Sequence, residues 1–139
     1  MRLWAKQLIS YLPQKQLISQ WRECCCIARS IAVNGTPNHI LVNKIMDYPD
    51  DEFNTYTDAV ITEMNRRGYK VDVWKYYKHR KDINNILLGG IFRGWHTKGY
   101  LRVCMANLYE KYNCHGLSTE EWDILCAGYM SITGEKYQI

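Results

Sequence analysis

The stretch between Pro13 and Gly35 constrains the fold most, because it carries the repeat of one long, half-buried helix. Its apolar side chains recur every three or four residues, which is the period of a helix with one face in a core. These side chains are Leu17, Trp21, Cys24, Cys25, Ala28 and Ile31. Pro13 suits the start of a helix, since its missing N–H group is one that the first turn leaves unpaired. Asn34 and Gly35 favour the left-handed conformation that ends a helix. The pattern predicts a helix over about residues 14–33.

Three further helices are predicted, over about residues 50–67, 97–112 and 119–131. Pro49 opens the first of them, acidic residues follow in its first turn, where they favour the helix dipole, and Gly68 closes it. Ser118 and Glu121 have the spacing of a capping box at the start of the last one. In each helix, side chains at helical spacing are expected to face the core. They are Phe53, Tyr56, Val60, Met64 and Arg67 in the first, Leu101, Cys104, Met105, Leu108 and Tyr112 in the second, and Trp122, Leu125, Cys126 and Tyr129 in the third.

Between these helices the pattern is weaker. Residues 40–46 are apolar and short, and they fit either a strand or a helical turn. Residues 69–94 are predicted to be rich in loops, with Asn84-Asn85 and Gly89-Gly90 as breakers. No repeat and no shift in composition marks a domain boundary. We therefore expect an all-α, mostly helical fold, in which residues 1–139 form one compact domain of about four helices.

The composition limits the cellular setting. No run of 18 apolar residues is present, and the N-terminus lacks the apolar segment of a signal peptide, so we expect a cytoplasmic protein that does not enter a membrane. The six cysteines show no CxxC spacing. Cys24, Cys25 and Cys26 point about 100° apart on a helix and cannot pair with one another. Free thiols are favoured over a zinc site that would include Cys114 and His115. We expect no metal, no cofactor and a monomer.

The net charge of +4 permits nucleic-acid binding without requiring it. Cations concentrate in residues 66–81, where aromatic residues lie between them. This basic segment contains Arg66, Arg67, Lys70, Lys75, Lys78, Arg80 and Lys81, with Tyr69, Trp74, Tyr76 and Tyr77. Cations can neutralise phosphates and aromatic rings can stack on bases. A solvated loop whose rings pack on the core explains the pattern equally well.

Glu23 is the one carboxylate of the first helix. It lies beside the apolar stripe, on a face whose other residues are small or neutral, and it follows Arg22 in the chain. The other members of this face are Gln16, Ser19, Gln20, Cys26 and Ser30. No cation stands four residues away to neutralise Glu23. The residue is either an ordinary surface carboxylate or one that faces a ligand.

Four short motifs occur together in an order that resembles a known enzyme family. They are Leu8-x-Ser10-x-Leu12 with Leu17 and Arg22-Glu23, then Glu63-x-x-x-Arg67-Gly68-Tyr69, then Phe92-Arg93-Gly94, and last Ala106-x-Leu108-x-Glu110-Lys111. In the content and order of these motifs, residues 1–112 are similar to the pyrimidine-dimer DNA glycosylases of the endonuclease V type. Met1-Arg2-Leu3-Trp4, Arg22-Glu23-Cys24-Cys25 and Asn38-His39 are closer to the bacterial and phage branch of that family.

The resemblance implies a DNA glycosylase mechanism that uses an N-terminal α-amine and a glutamate. The amine attacks the sugar and forms an imine, and the carboxylate stabilises the positive charge that develops. Glu23 takes the place of that glutamate. The family's phage enzyme exposes the amine of a threonine after losing its methionine. Here Arg2 is too bulky for that removal, so we expect Met1 to remain and to supply the amine. The alternative is that Glu23 activates water for simple hydrolysis of the glycosidic bond.

The resemblance also implies residues that bind the substrate. Arg2, Arg22 and Lys111 correspond to cations of the family. A histidine of its first helix and an arginine of its third are replaced by Gln16 and Asn107, which predicts a weaker grip on duplex phosphates.

The resemblance assigns no role to two histidines of the chain. His39 and His96 fall in stretches that look like polar turns, where an imidazole could contact a base or a phosphate. A structural role, or simple exposure to solvent, explains each of them as well.

Three functions are therefore open. The first is excision of a damaged or modified pyrimidine from duplex DNA, with or without cleavage of the abasic strand. The second is cleavage or sequestration of a small, for example cyclic, nucleotide in the same pocket. The third is a non-catalytic nucleic-acid-binding module that relies on the basic segment.

Overall fold

The computed structural model describes residues 1–80, 84 and 86–139, and this part of the chain contains helices and no strand. The predicted all-α fold is confirmed. Lys81 of the basic segment and Asn85 of the predicted breaker Asn84-Asn85 lie outside the described residues. The helices are α1 (Gln14–Asn34), α2 (Asp50–Arg66), α3 (Trp74–Tyr77), α4 (Lys98–Asn113) and α5 (Thr119–Thr133). Short 3-10 helices span Lys6–Tyr11, Asn43–Asp47 and Leu88–Gly90.

The four predicted helices correspond to α1, α2, α4 and α5, and their ends follow the expected local chemistry. Gly35 has φ 78°, and its N–H donates to the Ile31 carbonyl, so it ends α1 as a left-handed cap. At the start of α5, the Ser118 hydroxyl accepts from the Glu121 N–H, and the Glu121 carboxylate accepts from the Ser118 N–H. The apolar stretch at 40–46 leads into the 3-10 helix Asn43–Asp47 and is thus a helical turn.

Three helical elements lie where the sequence carries no helical period, one of them the short 3-10 helix Leu88–Gly90. α3 falls in the stretch predicted as loop, and the 3-10 helix Lys6–Tyr11 precedes the first predicted helix. α3 is one turn long and packs on α1. Its Tyr76 is wholly buried and meets the Phe53 ring edge-on at 5.8 Å between centroids. Tertiary packing rather than helical propensity therefore stabilises this turn.

The N-terminal segment runs through the core. Leu3, Ala5 and Leu8 are wholly buried. α5 packs on the 3-10 helix Lys6–Tyr11, and a Cβ atom added at Gly128 of α5 would come within 2.5 Å of the Tyr11 ring. Only glycine permits this approach. The segment is consequently fixed over most of its length and reaches the surface at Met1. In the part of the chain that the structure describes, no helix has the length and apolar character needed to cross a membrane.

Candidate active site

An open cavity of about 290 Å³ lies where the start of the chain meets α1, α4 and the turn before Asn43. Side chains from widely separated parts of the sequence line it: Met1, Arg2, Trp4, Glu23, Leu41, Asn107 and Lys111. The volume is at the lower end of the range for small-molecule sites, roughly 300–1,000 Å³. It can admit a group of the size of one nucleotide but not a double helix.

Glu23 is half-buried on the cavity side of α1. Its Oε2 atom accepts a hydrogen bond of 2.9 Å from Gln20 Nε2, so the carboxylate does have a partner within its own helix. Burial raises the pKa of Glu23, and the Met1 α-amine, the Gln20 hydrogen bond and the Lys111 ammonium oppose that rise. None of the ion pairs among the described residues joins the α-amine to Glu23. The carboxylate is therefore left open to a ligand or a proton.

Cations and an apolar wall surround this carboxylate. The Arg2 guanidinium lies over the Trp4 ring at 5.8 Å from its centroid. Trp4 is almost wholly buried, whereas Leu41 exposes about half of its side chain at the cavity. Lys111 is exposed near the end of α4 and lies close enough for its charge to act on Glu23. Asn107 Nδ2 donates to the Val103 carbonyl at 2.8 Å, which holds its amide against α4.

Gln20 is a residue of the site that sequence reasoning misplaces. Helical spacing puts it on the polar face beside Glu23, yet its side chain is wholly buried. Its amide oxygen accepts a hydrogen bond from the Trp4 backbone N–H, and its amide NH₂ group donates to the Arg2 carbonyl and to the Glu23 carboxylate. A signal is present in the sequence, because Gln20 follows the buried Leu17 by three residues and precedes a buried cysteine by four. A polar side chain at such a core position must be hydrogen-bonded.

Three further predicted site residues do not line the cavity. Arg22 is exposed on α1, and Gln16 is half-buried on the same helix, about one turn before Gln20. His39 is half-buried in the turn before the Asn43–Asp47 helix, where its Nδ1 accepts the Leu41 N–H at 3.2 Å. For these three residues, a role in binding stays a prediction.

His96 lies at the end of a turn that begins at Phe92, as predicted, but its ring is buried, so the structure does not support the predicted contact with a base or a phosphate. The ring is buried against Tyr56, Phe92, Trp95 and Tyr100, with its nearest ring centroid at 4.7 Å. Its Nδ1 accepts the Lys6 N–H at 2.9 Å. Burial, together with the Lys6 charge, lowers the pKa of His96 to about 3. The imidazole is therefore neutral and closed off from a ligand.

The basic segment divides into an inward and an outward set. Arg66 and Arg67 both bind the Glu63 carboxylate, and the Arg80 guanidinium lies over the Phe53 ring at 5.4 Å. The exposed members on and beside α3 are Trp74, Lys75 and Lys78. Arg67 and Arg80 are engaged by these contacts, whereas Arg66 keeps two thirds of its side chain exposed and Lys70 is exposed as well. Among the described residues of the segment, these two cations and the exposed set at α3 can meet a partner.

The cysteines and other metal-binding side chains form no cluster in the described ranges. All six cysteines are free thiols, and Cys24 and Cys104 are buried. Within residues 1–80, 84 and 86–139, no three His, Cys, Asp or Glu side chains are grouped so that they could hold a metal ion.

The fold and cavity define an all-α protein with a cavity that Met1 and the half-buried carboxylate of Glu23 line together. A family model described as pyrimidine dimer DNA glycosylase matches residues 1–76, which is more than half of the chain. The chain belongs to the pyrimidine dimer DNA glycosylase family, and its function is broadly of that type. None of the curated proteins and none of the solved structures matches it. The match includes Met1 and Glu23 and ends before Asn107 and Lys111.

Proposed function

We propose that the protein removes a damaged or modified pyrimidine from DNA, with the Met1 α-amine as nucleophile and Glu23 as its charge-stabilising partner. The observation that carries the proposal is the shared cavity. Met1 and Glu23 line it together, inside the part of the chain that matches the family. An α-amine suits this chemistry, because its ordinary pKa of roughly 7.7–8.0 leaves a useful fraction uncharged at neutral pH.

The bond changes can be assigned to these two groups. The nitrogen lone pair of Met1 attacks C1′ of the sugar while the C1′–N bond to the base breaks. The electron pair of that bond leaves with the base, which takes up a proton. The attacking nitrogen loses a proton, and opening of the sugar ring gives an imine. Glu23 stabilises the positive charge that develops on the sugar and can relay the protons.

Strand cleavage at the resulting abasic site is part of the proposal. An imine at C1′ draws electrons from C2′, so that a C2′ proton can be removed and the 3′ phosphate expelled. Water then hydrolyses the imine and frees the amine. A cavity of single-nucleotide size also requires that the target nucleotide leave the duplex stack before it reacts. Leu41 and Trp4 offer apolar surface to such a nucleotide.

The charges around the cavity support a DNA substrate. Apart from Glu23, α1 carries no acidic residue, while three exposed cations lie on it, namely Lys15, Arg22 and Arg29. α3 packs on α1, and the exposed residues on and beside it are Trp74, Lys75 and Lys78. These cations would flank the pocket on the α1 side and contact the phosphates on either side of the extruded nucleotide. We further propose that residues 1–139 act as one domain and as a monomer.

A small-nucleotide substrate is the second candidate. The cavity has room for one nucleotide, and its lining contains two cationic side chains, Arg2 and Lys111. A free nucleotide with one or two phosphates would need no more than that. The non-catalytic module is disfavoured, because Arg67 and Arg80 of the basic segment are engaged in internal contacts.

Base release under single-turnover conditions tests the proposal. The wild-type protein is mixed with an ultraviolet-irradiated duplex, the same duplex without damage, and free linear and cyclic nucleotides. We expect release from the damaged duplex alone. Turnover of a free nucleotide without action on DNA would favour the second candidate and contradict the first. Sedimentation equilibrium tests the monomer, which has a mass of 16.5 kDa.

A further inference from the structure

We propose that Gln20 is a positioning residue that fixes the amine-bearing start of the chain relative to Glu23. The inference rests on the proposed function, in which those two groups act together. It is carried by four contacts of one buried amide. Gln20 Oε1 lies 2.7 Å from the Trp4 nitrogen and 2.9 Å from the Tyr56 hydroxyl. Gln20 Nε2 lies 3.1 Å from the Arg2 carbonyl oxygen and 2.9 Å from Glu23 Oε2.

The orientation of this amide follows from its neighbours. A carbonyl and a carboxylate can only accept, so they must face the NH₂ group. The Trp4 N–H can only donate, so it must face the oxygen. Both N–H groups of the amide are thereby used, and its oxygen accepts the Trp4 N–H and shares the single Tyr56 hydroxyl proton with the Trp4 carbonyl, 2.7 Å from that hydroxyl. A flipped amide would leave a buried donor and acceptors unpaired, which is costly in a protein interior.

Gln20 holds two parts of the site at once. A chain terminus usually frays unless it is tied down. The Tyr100 hydroxyl, 2.5 Å from the Leu3 carbonyl oxygen, and the Cys104 thiol, 3.4 Å from the Ala5 nitrogen, also tie it. Among the hydrogen bonds of the described residues, those of Gln20 are the ones that reach both the terminal backbone and Glu23. The amine and the carboxylate are thus held in a fixed relation through one side chain, as an oriented reaction requires.

The variant Gln20→Glu tests this role with little change in shape. The new carboxylate still accepts from Trp4, but once ionised it cannot donate to Arg2 or Glu23, and it repels Glu23. When protonated, it regains one donor. The other charged groups that act on Glu23 are the Met1 amine and the Lys111 ammonium. We expect kcat to fall at least tenfold at pH 8 with a smaller change in KM. We also expect the ratio of variant to wild-type kcat to rise as the pH is lowered.

Gln14→Glu is the matched control. It makes the same substitution in α1, at an exposed position outside the cavity. The control should keep the wild-type pH profile. A purely structural role of Gln20 would lower the activity of Gln20→Glu by a constant factor at all pH values, and that outcome would overturn the proposal.

Two measurements keep the result separate from the proposed function. Carbon-13 NMR of the Glu23 carboxyl should show a higher pKa in Gln20→Glu than in the wild type. Acetylation of the Met1 amine should be several-fold faster, because the terminus is less restrained. If the wild-type protein acts on no DNA, the proposed function fails, but a higher Glu23 pKa and a faster Met1 acetylation in Gln20→Glu still support the positioning role.

A folded Gln20→Glu whose Glu23 pKa and acetylation rate equal those of the wild type contradicts the positioning role. If Gln20→Glu does not fold, Gln20→Asn, whose shorter amide cannot span both partners, must give the faster acetylation.

Discussion

The two ends of the buried N-terminal segment are tied down in similar ways but differ in their access to solvent. At Arg2 and Trp4 the backbone is bonded to Gln20, beside Glu23 and the open cavity. At Lys6 the backbone N–H is bonded to His96, inside a cluster of aromatic rings. Both sites place a titratable side chain next to the same short segment.

This difference separates a reactive site from a structural one. Burial favours the neutral form in both cases, so it raises the pKa of Glu23 and lowers the pKa of His96. Glu23 still faces a cavity, where cationic groups can draw it back towards its charged form. His96 is enclosed, and its Nε2 atom has no hydrogen-bond partner among the described residues. A perturbed pKa therefore indicates chemistry only where a ligand can reach the group.

The largest expected effect is on catalysis at the open end. Glu23→Gln should lower turnover by about two orders of magnitude or more, the usual scale for a group that stabilises charge or transfers protons. Substrate affinity and fold should be retained, since a glutamine can still accept from Gln20. Single-turnover base release measures the effect, and Glu120→Gln, an exposed carboxylate of α5, is the control. Near-normal release by Glu23→Gln would remove it from the mechanism.

At the closed end the main effect should be on stability. His96→Ala removes a buried ring that touches several aromatic side chains, and we expect it to lower the free energy of unfolding by about 3 kcal/mol. Denaturant unfolding measures this, with the half-buried His79→Ala as control. A loss for His96→Ala no larger than that of the control would contradict the view of this end as structural.

Acidification should distinguish the closed end further. The pKa of His96 is about 3 in the folded protein and about 6.5 in the unfolded chain. Its neutral form thus contributes stability above pH 6.5, and this contribution is lost as the pH falls towards 3. His96→Phe should weaken the decline of Tm over that range. A parallel decline in the variant and the wild type would show that other groups cause it.

A smaller effect concerns the charge at the cavity. Lys111→Gln should reduce the slope of log K for duplex DNA against log salt by about one unit, because one phosphate contact is lost. Lys98, at the other end of α4, is paired with Glu135 at 2.9 Å and provides the control Lys98→Gln. Equal slopes for both variants would place Lys111 outside the DNA contact.

The smallest effect is a gain in stability at the open end. The folded pKa of Glu23 is raised, so its contribution to stability is present below its unfolded pKa of about 4.5 and is lost as the pH rises through the folded value. Glu23→Gln should therefore raise Tm slightly at about pH 7, and the gain should vanish below pH 4.5. Calorimetry at both pH values measures it. A lower Tm for the variant at neutral pH would contradict the direction of the shift.

The sequence predicts the local features of this molecule well. The ends of α1 and α5 depend on Gly35 and on the Ser118–Glu121 box, and these residues act within a few positions of themselves. The apolar period of each long helix is equally local. The common placement of Met1 and Glu23 is expected from the family resemblance and not from the spacing of residues.

The partners of residues that make distant contacts could not be predicted, even where the helical period indicates that a residue such as Gln20 is buried. Gln20 looks like one more polar residue until Trp4 and Arg2 are brought to it from 16 and 18 residues away. The sequence gives no sign that His96 is enclosed, because the rings around it include Tyr56 of α2, which only the tertiary fold brings to it, and Tyr100 of α4. Helix α3 needs the packing of its buried tyrosine on α2. In each case the tertiary environment decides the role of the residue.

The central claim, that the Met1 amine attacks the sugar beside Glu23, is tested most directly by trapping the covalent intermediate. The protein is mixed with damaged duplex DNA in the presence of borohydride, which reduces an imine to a stable amine. The linked peptide is then mapped by mass spectrometry. We predict one adduct, at the Met1 nitrogen, and none when that amine has been acetylated. An adduct on a lysine side chain, or full base release by the acetylated protein without any adduct, would contradict the claim.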